Sequence, residues 1–571
     1  MQQNQLHASE RPNILILHTD QQRFDTIAAL GADHMHTPNI DRLVKQGTAF
    51  RHAYSSTPVC QPARHDLLTG VSGRRHGYFT NRPGPIADYC LATIPRLLTE
   101  AGYQTAAVGK MHFHPPREHH GFAHMFLMEE LPSCREDDAY LEYLKEQGYQ
   151  DVRCEHGVRP LFYHTPQASR VPEEHHGSAW VATKTIELLE EERDRPLFIW
   201  SSWVGPHPPY YVPEKYFDLY RDRPLPTPCP PTGDTARQAP VSPENPEPGD
   251  LRMRMIQEAY YAAITLIDTH IGRILDALEQ SGRADNTIVI FTTDHGEMLG
   301  DLGGYQKHIP YEGSAHIPLI ARGPGFPEGA CCGTAATTWD TAATIIEAAG
   351  LTVPDDHGLV GTSLRTLVSV DGGRADAGCF DEEDPDDSRI VVYHHGLNAG
   401  RYVAAVNGRF KLIHWYNGGQ EELYDLETDP WEQQNLLLDT STFSGDSTEI
   451  DLRGIAAALR MACIEFERTH GVAENVSGGD FVDRDYREPP RHACSLYPEW
   501  SSRQPPPWTN GYSPEDLTLI AGEMRDCLES PAAYICTETE WREKAVAEWE
   551  KIGGDPAVYH QLFSEADAKQ T

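Results

Sequence analysis

The sequence predicts an α/β fold: a large, mostly parallel sheet flanked by helices, then a smaller C-terminal antiparallel sheet subdomain and an extended tail. Three observations predict it. Continuous apolar runs recur along the first half of the chain, each ending in a polar cluster. A long stretch of helical apolar spacing precedes the last of these runs. Past an acidic break, the pattern changes to short strands joined by an Asn-Gly turn.

Taken in order, Asn13-Ile14-Leu15-Ile16-Leu17 runs into His18-Thr19-Asp20-Gln21, and Gln104-Thr105-Ala106-Ala107-Val108 into Gly109-Lys110-Met111-His112. Leu197-Phe198-Ile199-Trp200 leads through a short loop to Pro206-His207-Pro208, and Thr287-Ile288-Val289-Ile290-Phe291 into Thr292-Thr293-Asp294-His295-Gly296. Runs apolar at every position suit strands buried on both faces of a parallel sheet. Ligands bind such sheets at the carboxyl ends of the strands, so one edge should gather Asp20, Lys110, His207 and Asp294-His295.

Helices fit between the strands. Ile256, Tyr260, Ala263, Ile264, Ile267, Ile271, Ile274 and Leu278 share one helical face. Residues 93–102 form another helix, with Gly102 as its stop. The proline-rich stretch 221–250 reads as a long irregular excursion, either an insert near the site or a subunit contact.

Residues 371–388, with Asp381-Glu382-Glu383-Asp384, read as an exposed acidic loop and a boundary. After it, residues 402–406, the Asn407-Gly408 turn and residues 410–413 predict a hairpin. The expected organisation is a catalytic α/β domain over 1–375, an α+β subdomain over 385–475 and a Pro- and aromatic-rich tail over 476–571. That tail, rich in Pro, Trp and Tyr, cannot be a core of its own, so it should wrap the body or a partner subunit, in a homodimer or homotetramer.

Composition narrows the partners. A formal net charge of −37 excludes nucleic acid and anionic membrane surfaces as expected partners but not a small anionic substrate, since a local field can oppose the global one. The first residues carry no basic and apolar leader, and no run has membrane length, so the expectation is a cytoplasmic protein without a membrane span. Its twelve cysteines are then expected to be reduced thiols.

One cysteine stands apart. Cys60-Gln61-Pro62-Ala63-Arg64 opens a helix whose free N–H groups favour an anion, with Pro62 suited to the first turn and Arg64 offering a fork for tetrahedral oxyanions. A cysteine phosphatase would need arginine six residues after the cysteine, but position 66 is Asp.

The C-x-P-x-R spacing, together with Gly109-Lys110-Met111-His112 and Asp294-His295, resembles the sulfatase family from Arg11-Pro12-Asn13 to about Asn435. The resemblance implies an alkaline-phosphatase-like fold and hydrolysis of sulfate monoesters. It implies that a maturation enzyme, guided by Pro62 and Arg64, oxidises Cys60 to formylglycine. The hydrated aldehyde then attacks sulfur, giving a covalent sulfo-enzyme intermediate. One divalent metal, Ca2+ or Mn2+, is implied on Asp20, Cys60, Asp294 and His295, with Gln21 a further candidate where many relatives have a second Asp.

Arg64, Lys110 and Lys307 are the implied cations on the transferring group, and Asn81 a substrate contact. His112 is the implied base, and His207 with Lys307 the implied acid for the leaving oxygen. Asp20-Gln21 and His295 resemble the phosphonate monoester hydrolase and choline-sulfatase side of the family, so phosphonate monoester or phosphodiester hydrolysis is the alternative activity. His114, His119 and His120 read as loop residues.

Overall fold

A computed structural model describes residues 11–564 apart from 133–134, 136–137, 159–162, 233–245, 247–248, 371–388, 397–399, 439–450, 483, 488–513, 530–538, 552–554, 559 and 562–563. The acidic loop 371–388, half of the proline-rich excursion and the Pro505-Pro506-Pro507-Trp508 run lie outside the described residues.

The main sheet has eight strands: β1 (Asn13–Asp20), β2 (Thr48–Phe50), β3 (Gln104–Gly109), β4 (His124–Leu127), β5 (Leu197–Pro206), β6 (Thr287–Thr293), β7 (Leu319–Arg322) and β8 (Ala330–Cys332). Their spatial order is β8-β2-β7-β6-β1-β5-β3-β4. Every pairing is parallel except those of β7, which runs antiparallel to β2 and β6. β1 is central, with Leu15 opposite Ile199 on one side and Val289 on the other.

Side chains alternate across β1, and both faces are covered. Ile14 and Ile16 pack with Leu67 and Leu68 of α1 (Cys60–Thr69), Leu98 of α2 (Ile94–Glu100), and Ile345 and Ile346 of a later helix. Leu15 and Leu17 meet Trp180 and Val181 of α3 (Gly177–Glu190) and Ile267, Ile271 and Ile274 of α4 (Leu251–Gln280). This is why the strands read as unbroken apolar runs. The helix expected over 93–102 is α2, capped by the Thr93 side chain and followed by Gly102 at φ 94°.

The smaller sheet is antiparallel in chain order: β9 (Val391–His395), β10 (Tyr402–Val406), β11 (Phe410–Trp415) and β12 (Gln420–Asp425). Its hairpin turns at Gly408-Arg409, one residue later than Asn407-Gly408, because only Gly408 needs positive φ and Asn407 N–H already pairs with Phe410 O. One face receives Leu459, Cys463 and Phe466 of α5 (Leu452–Thr469), while the other packs on Tyr54, Tyr311 and Ala315 of the main body. His394 N–H donates to Ser56 O at 3.1 Å, bringing the end of β9 against the loop before Cys60.

Two expectations change. The tail is not merely extended: it carries α6 (Pro514–Glu529) and α7 (Thr539–Lys551). Ile520, Met524, Ala545 and Trp549 join the core around Tyr210 and Tyr260. Cys60, Cys90, Cys154, Cys229, Cys332 and Cys463 are free thiols, but Cys331 is disulfide-bonded. Among the described residues, no helix is long and apolar enough to cross a membrane.

Gly109 closes β3 at φ 89°, and a Cβ there would lie 1.9 Å from Ser202 O. Only glycine lets the strand end turn so tightly against β5, where Lys110 N–H also donates to Ser202 O at 2.9 Å. Gly109→Ala should destabilise the protein by about 2 kcal/mol or more, from left-handed strain plus the clash. Urea unfolding reads this; a wild-type midpoint would show that the turn relaxes freely.

Candidate active site

The carboxyl ends of the parallel strands deliver the expected residues to one edge. Asp20 ends β1, Asp294 and His295 follow β6, and Cys60 opens α1. These four offer ligand atoms that all lie within 4.8 Å of one another, and all four are buried. Cys60 Sγ is 3.1 Å from His295 Nε2. His295 Nδ1 faces Gly296 O at 3.0 Å, which makes Nδ1 the protonated nitrogen and leaves the Nε2 lone pair pointing into the cluster.

Asp20 Oδ1 is buried with no hydrogen-bond partner among the described residues. An orphaned carboxylate oxygen is costly unless something positive completes it. Two carboxylates and a ligand-competent imidazole around that orphan fit a divalent cation.

Arg64, one turn along α1, organises these acids. Its Nη2 donates to Asp20 Oδ2 at 3.0 Å and its Nε to Asp294 Oδ2 at 2.9 Å. Nη1 donates to Lys110 O at 2.7 Å and Ser202 Oγ at 2.9 Å. Burial and Asp294 both push the Asp20 carboxyl up, but the Lys110 ammonium and the Arg64 guanidinium outweigh them and hold it below its ordinary value. Burial likewise opposes the Asp294 charge, and His295 and Arg64 hold that carboxyl well below its ordinary value. The guanidinium is therefore spent behind the metal-type ligands rather than presented to an anion.

The loop before Cys60 is anchored by Asp66. Its Oδ2 accepts from Ser56 Oγ at 2.6 Å and Thr57 Oγ1 at 3.1 Å, while Oδ1 meets His76 Nε2 at 2.8 Å. Asn81 is exposed at the helix mouth, where its Oδ1 accepts from Gln61 N at 3.0 Å. Gln21 follows Asp20 directly, and its backbone N–H donates to Asp294 Oδ1 at 3.1 Å. Its side-chain amide donates to Glu297 and accepts from Lys307 Nζ, the latter at 2.6 Å.

Opposite the acids stand two ammonium groups. Lys110 Nζ lies 2.7 Å from Asp20 Oδ2 and 2.5 Å from Glu130 Oε2. Lys307 Nζ is 3.0 Å from His207 Nε2. His207 Nδ1 faces Pro208 O at 2.6 Å, so Nδ1 carries the proton and Nε2 accepts from Lys307. Burial drives the His207 pKa well below its ordinary value, with Lys307 and Lys110 adding to the effect against Glu130 and Asp20. Burial also works against the Lys307 charge, but Cys60, Tyr163, Asp20 and Glu130 raise its pKa on balance.

His112 shares the Lys110 turn at φ 60°, and its Nδ1 is buried without a partner among the described residues. The turn is held by Glu129, whose carboxylate accepts from Met111 N at 2.9 Å and His112 N at 3.0 Å. Direct contacts thus link Asp20, Cys60, Arg64, Lys110, Asp294 and His295, and the His207–Lys307 pair joins them through Glu130 and Gln21, with His112 and Asn81 at the margins. Sequence reading missed Glu129 and Glu130, though the same strand-end rule applied to Met125-Phe126-Leu127-Met128 points at them.

Comparison with known proteins agrees with this geometry. The family model described as Sulfatase matches residues 12–351, and that of the N-sulphoglucosamine sulphohydrolase C-terminal region matches 300–446. An arylsulfatase of Clostridium perfringens is 30% identical over 462 residues, spanning 75% of this chain and 90% of that protein. A choline-sulfatase of Rhizobium meliloti is 28% identical over 442 residues, spanning 75% and 82%. The crystal structure of the phosphonate monoester hydrolase of Agrobacterium radiobacter superimposes with a TM-score of 0.64 at 25% identity, over 83% of this chain and all of that one. Since the matched stretch 12–351 holds the whole strand-edge cluster, from Asp20 through Cys60 to Lys307, the chain belongs to the sulfatase family of the alkaline phosphatase superfamily, the hydrolases of sulfate esters.

Proposed function

We propose that the protein cleaves sulfate monoesters through an oxygen nucleophile made from Cys60, with one divalent metal held by Asp20, Asp294 and His295. The observation that carries this is Cys60 Sγ seated 3.1 Å from His295 Nε2, beside the orphaned Asp20 Oδ1. Formylglycine, made from Cys60 by a maturation enzyme, supplies a hydroxyl nucleophile when hydrated, and the metal supplies charge that lowers that hydroxyl's pKa and polarises the ester.

The chain's own residues do the rest. Lys110 and Lys307 hold the equatorial oxygens of the transferring group, since each ammonium has three protons and two described acceptors. Lys307, kept charged beside a neutral His207, is the proton source for the leaving oxygen, and His207 Nε2 aims it. His112, with its unpartnered Nδ1, takes a proton as the product leaves. Arg64 keeps the two acids ionised and aligned.

The donor set suits Ca2+ or Mn2+, and the imidazole nitrogen tilts it towards Mn2+. A second activity, on phosphonate monoesters or phosphodiesters, draws support from the TM-score of 0.64 to a phosphonate monoester hydrolase. Both substrate types offer the same oxygens to the same two lysines.

The test begins with the mass of the tryptic peptide that ends at Arg64, from protein made beside an active maturation enzyme. The expected result is a pair of species, aldehyde and hydrate, in place of the thiol. That protein should hydrolyse phenyl sulfate, lose the activity to a chelator and regain it with Mn2+ or Ca2+. Finding only thiol, or turnover indifferent to chelation, would overturn the mechanism.

A further inference from the structure

Two of the carboxylates at the site, Asp20 and Asp294, belong with the cation-type cluster. A third does not. Glu130, just past the end of β4, stands among the positive groups on the opposite side, with its side chain only 8% exposed. Its Oε2 lies 2.5 Å from Lys110 Nζ and its Oε1 lies 3.5 Å from His207 Nδ1. Glu130 also contributes to holding charge on both Lys110 and Lys307.

An anionic ester must therefore share Lys110 with a fixed carboxylate. Sharing does not forbid binding, because the ammonium has a third proton. It does make binding depend steeply on how much charge the ester brings. Repulsion from Glu130 doubles when the transferring group carries two negative charges instead of one, and burial weakens the screening that would hide the difference. Sulfate monoesters and phosphonate monoesters carry one charge on that group. Phosphate monoesters carry close to two above their second pKa near 6.

We propose that Glu130 is a specificity-determining residue that admits singly charged esters and disfavours doubly charged phosphate monoesters. This rests on the ester-hydrolase reading above and adds to it which esters the site selects. Its alternative is a carboxylate that merely positions Lys110, in which case its removal would slow all esters alike.

The experiment compares kcat/KM for phenyl phosphate and phenyl sulfate at pH 8 in metal-loaded wild type, Glu130→Gln and Glu130→Asp. The phosphate-to-sulfate ratio should rise roughly tenfold or more in Glu130→Gln and stay within about twofold of wild type in Glu130→Asp, which keeps the charge. A ratio that is unchanged or lower in Glu130→Gln overturns the proposal.

If Glu130→Gln turns over neither ester, the ratio is read from calorimetric binding of the two. A rise again supports the proposal, and an unchanged or lower ratio overturns it. If the variant does not fold, wild-type binding is followed from pH 5 to 8. Phenyl phosphate should then weaken relative to phenyl sulfate as its second proton leaves near pH 6, and a constant ratio overturns the proposal. A wild type that carries the aldehyde yet cleaves neither ester would refute the hydrolase reading instead, and the binding ratio would still test Glu130.

Discussion

Cys60→Ala should abolish sulfate ester hydrolysis, by on the order of 10^4-fold or more in kcat/KM, while the protein stays folded and metal-responsive. The loss follows from where the sulfur sits. Oxidation of Cys60 replaces that sulfur with an oxygen on the same Cβ, which places the nucleophile beside Asp20, Asp294 and His295, and alanine offers no group there to oxidise. Lys110 and Lys307 would still bind an anion, so the variant should bind phenyl sulfate without turning it over.

Stability should change little. Cys60 is 1% exposed, and removing one sulfur atom leaves a small cavity costing about 1 kcal/mol. Asp20, Asp294 and His295 remain, so Mn2+ should still raise the unfolding midpoint by mass action. The measurement pairs steady-state rates with thermal unfolding, with and without metal. Retained hydrolysis in a folded Cys60→Ala protein would remove the nucleophile from the mechanism.

Much of the site was legible because parallel strands must end somewhere specific. A run buried on both faces has no polar positions of its own, so the first polar residues after it mark the sheet edge. Asp20, Lys110, His207 and Asp294-His295 all follow from that rule and are brought together, His207 by way of Glu130. Glu129 and Glu130 obey it too. Their strand, β4, lies at the edge of the sheet, where His124 is exposed and Met125 and Phe126 are half-buried, so the apolar contrast that announces a buried strand is weak.

Other features depend on contacts no pattern encodes. A helix start with Arg64 looks like an anion fork, and only the folded chain shows that Asp20, Asp294, Lys110 O and Ser202 use its donors. Asn81 meets the backbone of Gln61, twenty residues back, through an ordinary loop. In the tail, Ile520 with Met524 and Ala545 with Trp549 repeat at helical spacing, but the prolines and tryptophans between residues 488 and 513 dominate the composition and hide two docked helices.

The second large effect is expected at Arg64. Arg64→Ala should destabilise the metal-free protein at neutral pH by about 3–5 kcal/mol, because it strands two buried carboxylates that share one guanidinium. Both acids are held below their ordinary values in the folded protein, and a depressed carboxyl pKa stabilises the fold above the unfolded value and loses that effect as pH falls through the folded one. The gap between wild type and variant should therefore be widest near pH 7 and narrow in acid, where the stranded acids take up protons.

Metal should restore part of the loss, since a divalent cation neutralises the same two acids. Arg64→Lys should fall between, because one ammonium cannot reach Asp20 Oδ2 and Asp294 Oδ2 while also holding Lys110 O and Ser202 Oγ in the plane a guanidinium spans. Urea unfolding in chelator and in Mn2+, at neutral and acid pH, separates the roles. An Arg64→Ala protein as stable as wild type in chelator, yet inactive, would place Arg64 on the substrate; a fragile protein steadied by metal or acid places it behind the acids, as the structure has it.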